Sequence, residues 1–186
     1  LTLDLLELEH LNFEMPWWPS KLIEQAVIKD KLYFASGDIS ANVIYMMYVT
    51  FFNKGIAKDY NLESPYDLVQ NDQWTMDKMF ELSSGVYRDL NGDGQKNEGD
   101  QFGMYTTKLH SDAFFWGSGT TVLINKGQEG LEFNPEFGSE RVQSILEKVC
   151  RFLFETDDGY LVTSSATLGE FAAGHSLFYY DRARMA

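Results

Sequence analysis

The oxygen-bearing side chains between residues 88 and 105 have a spacing that suits metal binding. The segment reads RDLNGDGQKNEGDQFGMY, and its acidic and amide residues alternate around a glycine-rich turn. Calcium takes about six to eight oxygen ligands, and oxygen donors at alternate loop positions wrap around one point. Gly94 permits the sharp turn that such a loop needs. The predicted ligands are Asp89, Asn91, Asp93, Gln95 (through its main-chain carbonyl), Asn97 and Asp100.

Two interpretations of this loop stay open at the level of sequence. The last ligand position holds Asp100, where the usual bidentate ligand is the longer Glu. The alternative to a metal site is an Asx-rich turn, which closes itself by hydrogen bonds. Strand-like sequence (QFGMYTT) follows the loop, where an EF-hand would have a helix. We therefore expect a structural Ca²⁺ that joins a helix end to a strand and has no catalytic role.

The elements around the loop alternate between helical and strand-like patterns, which predicts an α/β fold. The run VIYMMYVTFFN is continuously apolar and predicts a strand buried on both faces. Thr75 and Ser139 are placed to begin helices, and the helix after Ser139 has the clearest apolar periodicity. The segment TTVLINKGQEGLEFN predicts a hairpin, and HSLFYYD predicts a further strand.

Composition excludes several classes of partner. The chain has 186 residues, 44% hydrophobic and 15% aromatic, with a formal net charge of -13. Nucleic acids and anionic membrane surfaces need clustered Lys and Arg, so neither is an expected partner. The single cysteine, Cys150, excludes a disulfide within the chain, and its apolar neighbours predict a buried thiol. No stretch approaches the roughly 20 apolar residues of a membrane span.

Five pieces of sequence carry a family resemblance, in the order PWW, KLYFASGDIS, FFNKGIAKDYNLESPYDLVQNDQWTMDKMFEL, DLNGDGQKNEGDQFG and FAAGHSLFYYD. Together they cover most of residues 16–181. In this order they resemble the extracellular solute-binding proteins of bacterial ABC importers, in particular the carbohydrate-binding family that includes maltose-binding protein. Proteins of this family have two α/β lobes joined by crossing strands, and the ligand closes between the lobes.

The resemblance implies a truncated two-lobe protein of the type 2 periplasmic-binding-protein fold. Residues 1–36 would be a remnant of lobe one, residues 37–178 lobe two, and residues 179–186 the start of the returning hinge strand. The implied function is capture of a carbohydrate and its delivery to a membrane permease, without catalysis. The implied protein is a monomer, located outside the cell as a surface lipoprotein or in the periplasm.

The resemblance also implies a set of ligand-binding residues, because sugar recognition needs flat aromatic faces and planar hydrogen-bonding groups. Several positions have a structural alternative: a packed loop for the adjacent tryptophans, a helix cap for Asp38, core packing for Trp116, and a terminal surface pair for residues 181 and 182. His110 is predicted to be an exposed loop residue. The ligand-binding residues are Trp17, Trp18, Asp38, Ser40, Asp112, Trp116, Asp181 and Arg182.

Two other functions compete with ligand capture. A secreted carbohydrate-active enzyme would need two carboxylates facing each other across a cleft, and no Asp/Glu pair stands out at matched strand ends. The sequence also lacks a G-x-S-x-G elbow, an H-E-x-x-H motif and a glycine-rich phosphate loop. A calcium-stabilised interaction module fits the acidic surface and the loop, although such modules are typically all-β.

Overall fold

A four-stranded mixed sheet forms the body of the protein in a computed structural model that describes residues 3–162 and 167–185. The strand order is β1-β6-β2-β5; β2, β5 and β6 run parallel, and β1 is antiparallel to β6. A separate hairpin pairs β3 with β4. The strands are Tyr48–Phe52 (β1), Phe102–Thr107 (β2), Leu123–Asn125 (β3), Leu131–Phe133 (β4), Gly159–Val162 (β5) and Ser176–Arg182 (β6).

Helices flank this mixed sheet, which confirms the predicted α/β class. The α-helices are Ser20–Ala26 (α1), Ala41–Tyr45 (α2), Lys54–Asp59 (α3), Pro65–Gln70 (α4), Met76–Ser83 (α5), Lys108–Gly117 (α6), Glu140–Phe154 (α7) and Thr167–Ala172 (α8). Short 3₁₀ segments are Leu5–Glu7, Gly127–Glu129, Pro135–Gly138 and Ala183–Met185. Thr75 and Ser139 begin α5 and α7 as predicted, and their hydroxyls accept from Lys78 N and Val142 N.

Two apolar clusters cover the sheet. The larger one contains residues from each of the helices α3 to α7, together with strand residues such as Met104 and Phe178. The smaller one joins Phe102, Tyr105 and Tyr179 to Phe171 of α8. Burying side chains on both faces removes the sheet from water and is the main stabilising contribution to this body.

The predicted doubly buried strand over residues 43–53 is wrong in two respects. Residues 43–45 belong to helix α2, and the strand that follows, β1, lies at the edge of the sheet with only β6 beside it. Its residues are half-buried or exposed. An apolar run alone does not distinguish an edge strand from a central one, because strand order is set by long-range pairing.

The N-terminal residues form a small unit with an apolar cluster of its own. Trp18, Ile23, Ala26 and Leu32 are buried there, and the partly buried residues packed on them also belong to residues 5–35. Asp4 helps to close this unit because its carboxylate accepts from Leu6 N and Leu32 N. We call residues 3–36 the N-terminal unit; Gly37 then leads through α2 into β1.

The longest described helix, α7, has 15 residues and is amphipathic. Within residues 3–162 and 167–185, no helix combines the length and the apolar character needed to cross a bilayer. The prediction of a buried Cys150 is wrong. Its thiol is exposed on α7, because the buried stripe of this helix runs through Val142, Phe152 and Leu153 and Cys150 lies beside it.

Candidate functional site

The carboxyl ends of the parallel strands β2 and β6 lie side by side, and ligands of open α/β sheets bind at such strand ends. β6 ends with Asp181 and Arg182, and β2 runs directly into α6. Thr107 caps this helix by accepting from His110 N at 3.2 Å. The cap therefore holds His110 in the first turn of α6, beside the end of β6.

Asp181 is buried and surrounded by polar partners. Its exposed fraction is 2%, and its Oδ1 accepts from Arg182 N at 2.6 Å and from Arg182 Nε at 3.4 Å. Its Oδ2 accepts from the Tyr179 hydroxyl. These contacts rule out the surface-pair interpretation for Asp181. They also orient Arg182, and ligand binding by Asp181 stays a prediction.

His110 completes this cluster and was expected to be an exposed loop residue, which is wrong. The ring is 5% exposed, with Nε2 3.1 Å from Asp181 Oδ1. Despite this short distance, neither ring nitrogen has hydrogen-bond geometry toward the residues that the structure describes. The Tyr48 ring meets the imidazole edge to face, with centroids 5.6 Å apart.

Burial lowers the pKa of His110 because the charged imidazolium loses its hydration. Asp181 acts in the opposite direction, and Arg182 and Arg184 add to the lowering. The imidazole is therefore neutral at pH 7, and its approach to Asp181 is not an ion pair. Burial likewise raises the pKa of Tyr180, which stacks on Phe114 of α6.

Trp17 and Trp18 have different surroundings. Trp18 is 8% exposed and packs against Phe13, with ring centroids 4.9 Å apart, whereas Trp17 is 40% exposed. The packed-loop interpretation thus holds for Trp18, and Trp17 is the one of the pair with a free ring surface. Asp38 N donates to Trp17 O at 2.9 Å, which places the main chain of Trp17 at the junction between the N-terminal unit and the sheet.

Asp38 and Ser40 lie in that junction. Asp38 is exposed, and α2 begins after Ser40, so Asp38 is not the helix cap that was its alternative interpretation. The Ser40 side chain makes no capping hydrogen bond. A Cβ on Gly37 would meet Trp17 O at 2.3 Å, so only glycine lets the two segments approach this closely.

Asp112 and Trp116 lie elsewhere. They follow His110 on α6, but His110 faces β6, whereas Asp112 lines a cavity of about 160 Å³ between α6 and α7. Trp116 is exposed, which rules out core packing, and its ring meets Phe115 at 5.0 Å. The structure therefore brings Asp181 together with Arg182, and Trp17 with Asp38, but turns Asp112 away from both pairs.

Comparison with known proteins adds no further guide to this site. No family model matches the chain, and neither the curated proteins nor the solved structures contain a significant match.

The predicted calcium loop closes on itself through its oxygen-bearing side chains. Asp89 accepts from Gly92 N at 2.6 Å and from Gly94 N at 2.8 Å. Asn97 Nδ2 donates to Asp93 Oδ2 at 2.9 Å and to Gln95 O at 3.1 Å. These side-chain oxygens thus accept from N–H groups of the loop itself, which is the hydrogen-bonding pattern of an Asx-rich turn.

Asp100 anchors the loop to the body. It is fully buried, and its carboxylate accepts from Leu90 N, from Asn97 N and from the Tyr87 hydroxyl. Over the described parts of the chain, no three His, Cys, Asp or Glu side chains gather closely enough to hold a metal ion. The all-oxygen donor set suits calcium but would need the amide and carbonyl oxygens as well, and Ca²⁺ stays a prediction.

Sequence reasoning missed His110 as a neighbour of Asp181 and Tyr48 as a neighbour of His110. A usable signal was present for His110, because Thr107 followed by helix-forming residues predicts a helix start directly after β2. No comparable signal marks Tyr48, since its contact depends on β1 pairing with β6 across more than a hundred residues, with Tyr48 opposite Arg182.

Proposed function

We propose that this chain is part of an extracellular solute-binding component of an ABC importer, which captures a carbohydrate between two lobes and delivers it to a membrane permease. One observation carries the proposal. Helix α2, which starts directly after Ser40, packs against Ala183–Met185, which directly follow Arg182. The Ala183 N–H also donates to Met47 O at 2.7 Å. The two segments that would cross between the lobes therefore run side by side.

The chemistry around this crossing suits a sugar. Trp17 offers an exposed indole for the apolar face of a pyranose ring, and Asp38 offers a carboxylate that accepts from hydroxyls. Arg182 supplies donors in a planar fork, and Asp181 holds this fork through Nε. Asp112 and Trp116 are not part of this group.

Capture would work by closure about the crossing segments. The N-terminal unit carries Trp17, and the sheet body carries Arg182, so a ligand touching both makes its full set of contacts only when they approach. The difference in affinity between the open and closed states is what shifts the population. No step in this mechanism breaks a covalent bond.

The calcium loop would have a supporting role. It follows α5 and leads into β2, and Asp100 holds it against the body. Bound Ca²⁺ would neutralise acidic side chains of the loop. The residues that would hold it are the six already predicted, and the loop is remote in sequence from Trp17, Asp38 and Arg182.

A thermal-shift screen with a panel of mono- and oligosaccharides tests the proposal. Capture predicts that one saccharide raises the melting temperature, that Trp17→Ala abolishes this shift, and that Trp116→Ala retains it. The screen is repeated with a chelator and with chromogenic glycosides. Turnover of a glycoside would instead establish an enzyme, and a shift with Ca²⁺ alone would favour an interaction module.

A further inference from the structure

A polar contact ties the N-terminal unit to the β3–β4 hairpin. Asn125 Nδ2 donates to Gln25 O at 3.1 Å and to Val27 O at 2.6 Å. Lys29 N donates to Gly127 O at 3.2 Å, and Gln128 Nε2 donates to the Asp30 carboxylate. We call this contact, between residues 25–30 and residues 125–130, the clasp.

Both halves of the clasp are unusual turns that fit each other. Lys29 and Asp30 adopt positive φ angles of 53° and 61°, and Gly127 and Gly130 adopt 64° and 90°. A Cβ on Gly130 would meet Lys29 Cε at 3.0 Å, so the hairpin turn approaches the Lys29 side chain closely. Lys29 and Asp30 are the central residues of a two-residue turn closed by hydrogen bonds between Ile28 and Lys31, a turn type in which both central residues take positive φ.

The clasp links two parts that share no apolar cluster. The cluster of the N-terminal unit is confined to residues 5–35, and the clusters of the sheet body begin at Phe51. The hairpin itself is well exposed at Leu123, Leu131 and Phe133. A joint made of hydrogen bonds on an exposed hairpin is easier to open than one made of buried apolar surface.

We propose that the clasp is a releasable second attachment that sets the orientation of the N-terminal unit relative to the sheet body. The covalent attachment at Gly37 acts as the pivot, and the clasp fixes the angle about it. This inference draws on the proposed function only for its purpose, since closure about the crossing segments would have to make or break this contact. The orientation itself can be measured without any ligand.

The test compares two isosteric substitutions in the same hairpin. Asn125→Asp removes the Nδ2 donor to Gln25 O and Val27 O but keeps the oxygen that accepts from Gly127 N. Asn134→Asp is the matched control, because it removes a donor to Thr121 within the hairpin and keeps the oxygen that accepts from Glu136 N. Gln128→Ala is the second clasp variant and leaves the backbone contact intact.

Orientation is measured by pulsed electron paramagnetic resonance between spin labels on Glu24→Cys and Glu147→Cys, in a Cys150→Ser background. Both label positions are exposed, in α1 and α7. The proposal expects a broadened or displaced distance distribution for Asn125→Asp and, to a smaller degree, for Gln128→Ala, with no change for Asn134→Asp. An unchanged distribution in both clasp variants, each confirmed as folded by circular dichroism, overturns it.

The result that would contradict the proposed function differs from the result that would contradict the clasp. If no saccharide binds, capture is wrong, but a displaced distance distribution still establishes the clasp. If a saccharide binds and the distances do not respond to the clasp variants, capture stands and the clasp inference falls.

Discussion

The imidazole of His110 lies with Nε2 3.1 Å from Oδ1 of Asp181, and both side chains are buried at the carboxyl ends of β2 and β6. The pair joins the first turn of α6 to the end of the strand that would lead out of the body. Asp181 binds Arg182 through both its N–H and its Nε, whereas the neutral His110 ring packs beside this carboxylate without hydrogen-bond geometry.

Removing the Asp181 carboxylate should destabilise the protein. Asp181→Asn keeps the shape but leaves the Arg182 N–H, the Arg182 side chain and the Tyr179 hydroxyl with a weaker shared acceptor. We expect a loss of about 1–3 kcal/mol in the free energy of unfolding, measured by urea denaturation. Asp112→Asn, an exposed carboxylate on α6, is the control. Equal stability of both variants would show that the buried contacts contribute nothing.

Stability should fall on mild acidification because of His110. Burial lowers its pKa in the folded protein below the 6.5 of the unfolded chain, so the unfolded state binds the proton more readily. The free energy of unfolding therefore drops as the pH falls from above 6.5 through the lowered pKa, and each unit of difference corresponds to about 1.36 kcal/mol.

The check on this pH dependence is His110→Gln, which cannot take up the proton. Urea unfolding from pH 7.5 to pH 5 should show a flatter profile for this variant than for the wild type. His10→Gln, at an exposed position, should retain the wild-type slope. A His110→Gln profile parallel to that of the wild type would contradict the prediction.

The adjacent tryptophans should separate ligand binding from folding. Trp18→Ala removes a buried ring from the N-terminal unit and should cost about 3–5 kcal/mol, seen as loss of structure in that unit by hydrogen exchange. Trp17→Ala removes an exposed ring, so it should leave stability nearly unchanged and weaken saccharide binding about tenfold, measured by calorimetry. The reverse pattern would show that the ligand contacts Trp18 and not Trp17.

Calcium should stabilise the loop after α5. At free Ca²⁺ a hundredfold above its dissociation constant, the gain is about 2.7 kcal/mol, seen as a higher melting temperature that a chelator reverses. Asp93→Asn should remove most of this gain, because it takes one negative charge from the predicted ligands. Asp67→Asn, an exposed acidic residue in α4, should keep it. If neither calcium nor chelator changes the melting temperature of the wild type, the loop is the self-closing Asx turn instead.

Local features of this protein follow from the sequence. Thr75 and Ser139 cap their helices, the β3–β4 hairpin forms where glycine-containing turn sequence predicts it, and the side chains of residues 89–100 fold around one turn. Each of these depends on hydrogen bonds between residues a few positions apart, so the spacing of residue types is enough to predict them.

Features that need distant partners were decided only by the tertiary structure. The apolar run before residue 53 became a short helix and an edge strand because β6 pairs with it on one side only. His110 became buried because Asp181 arrives beside it from the far end of the chain, and Trp17 stayed exposed while Trp18 was covered by Phe13. Burial and strand order are set by which segments meet in space, and no local spacing encodes those meetings.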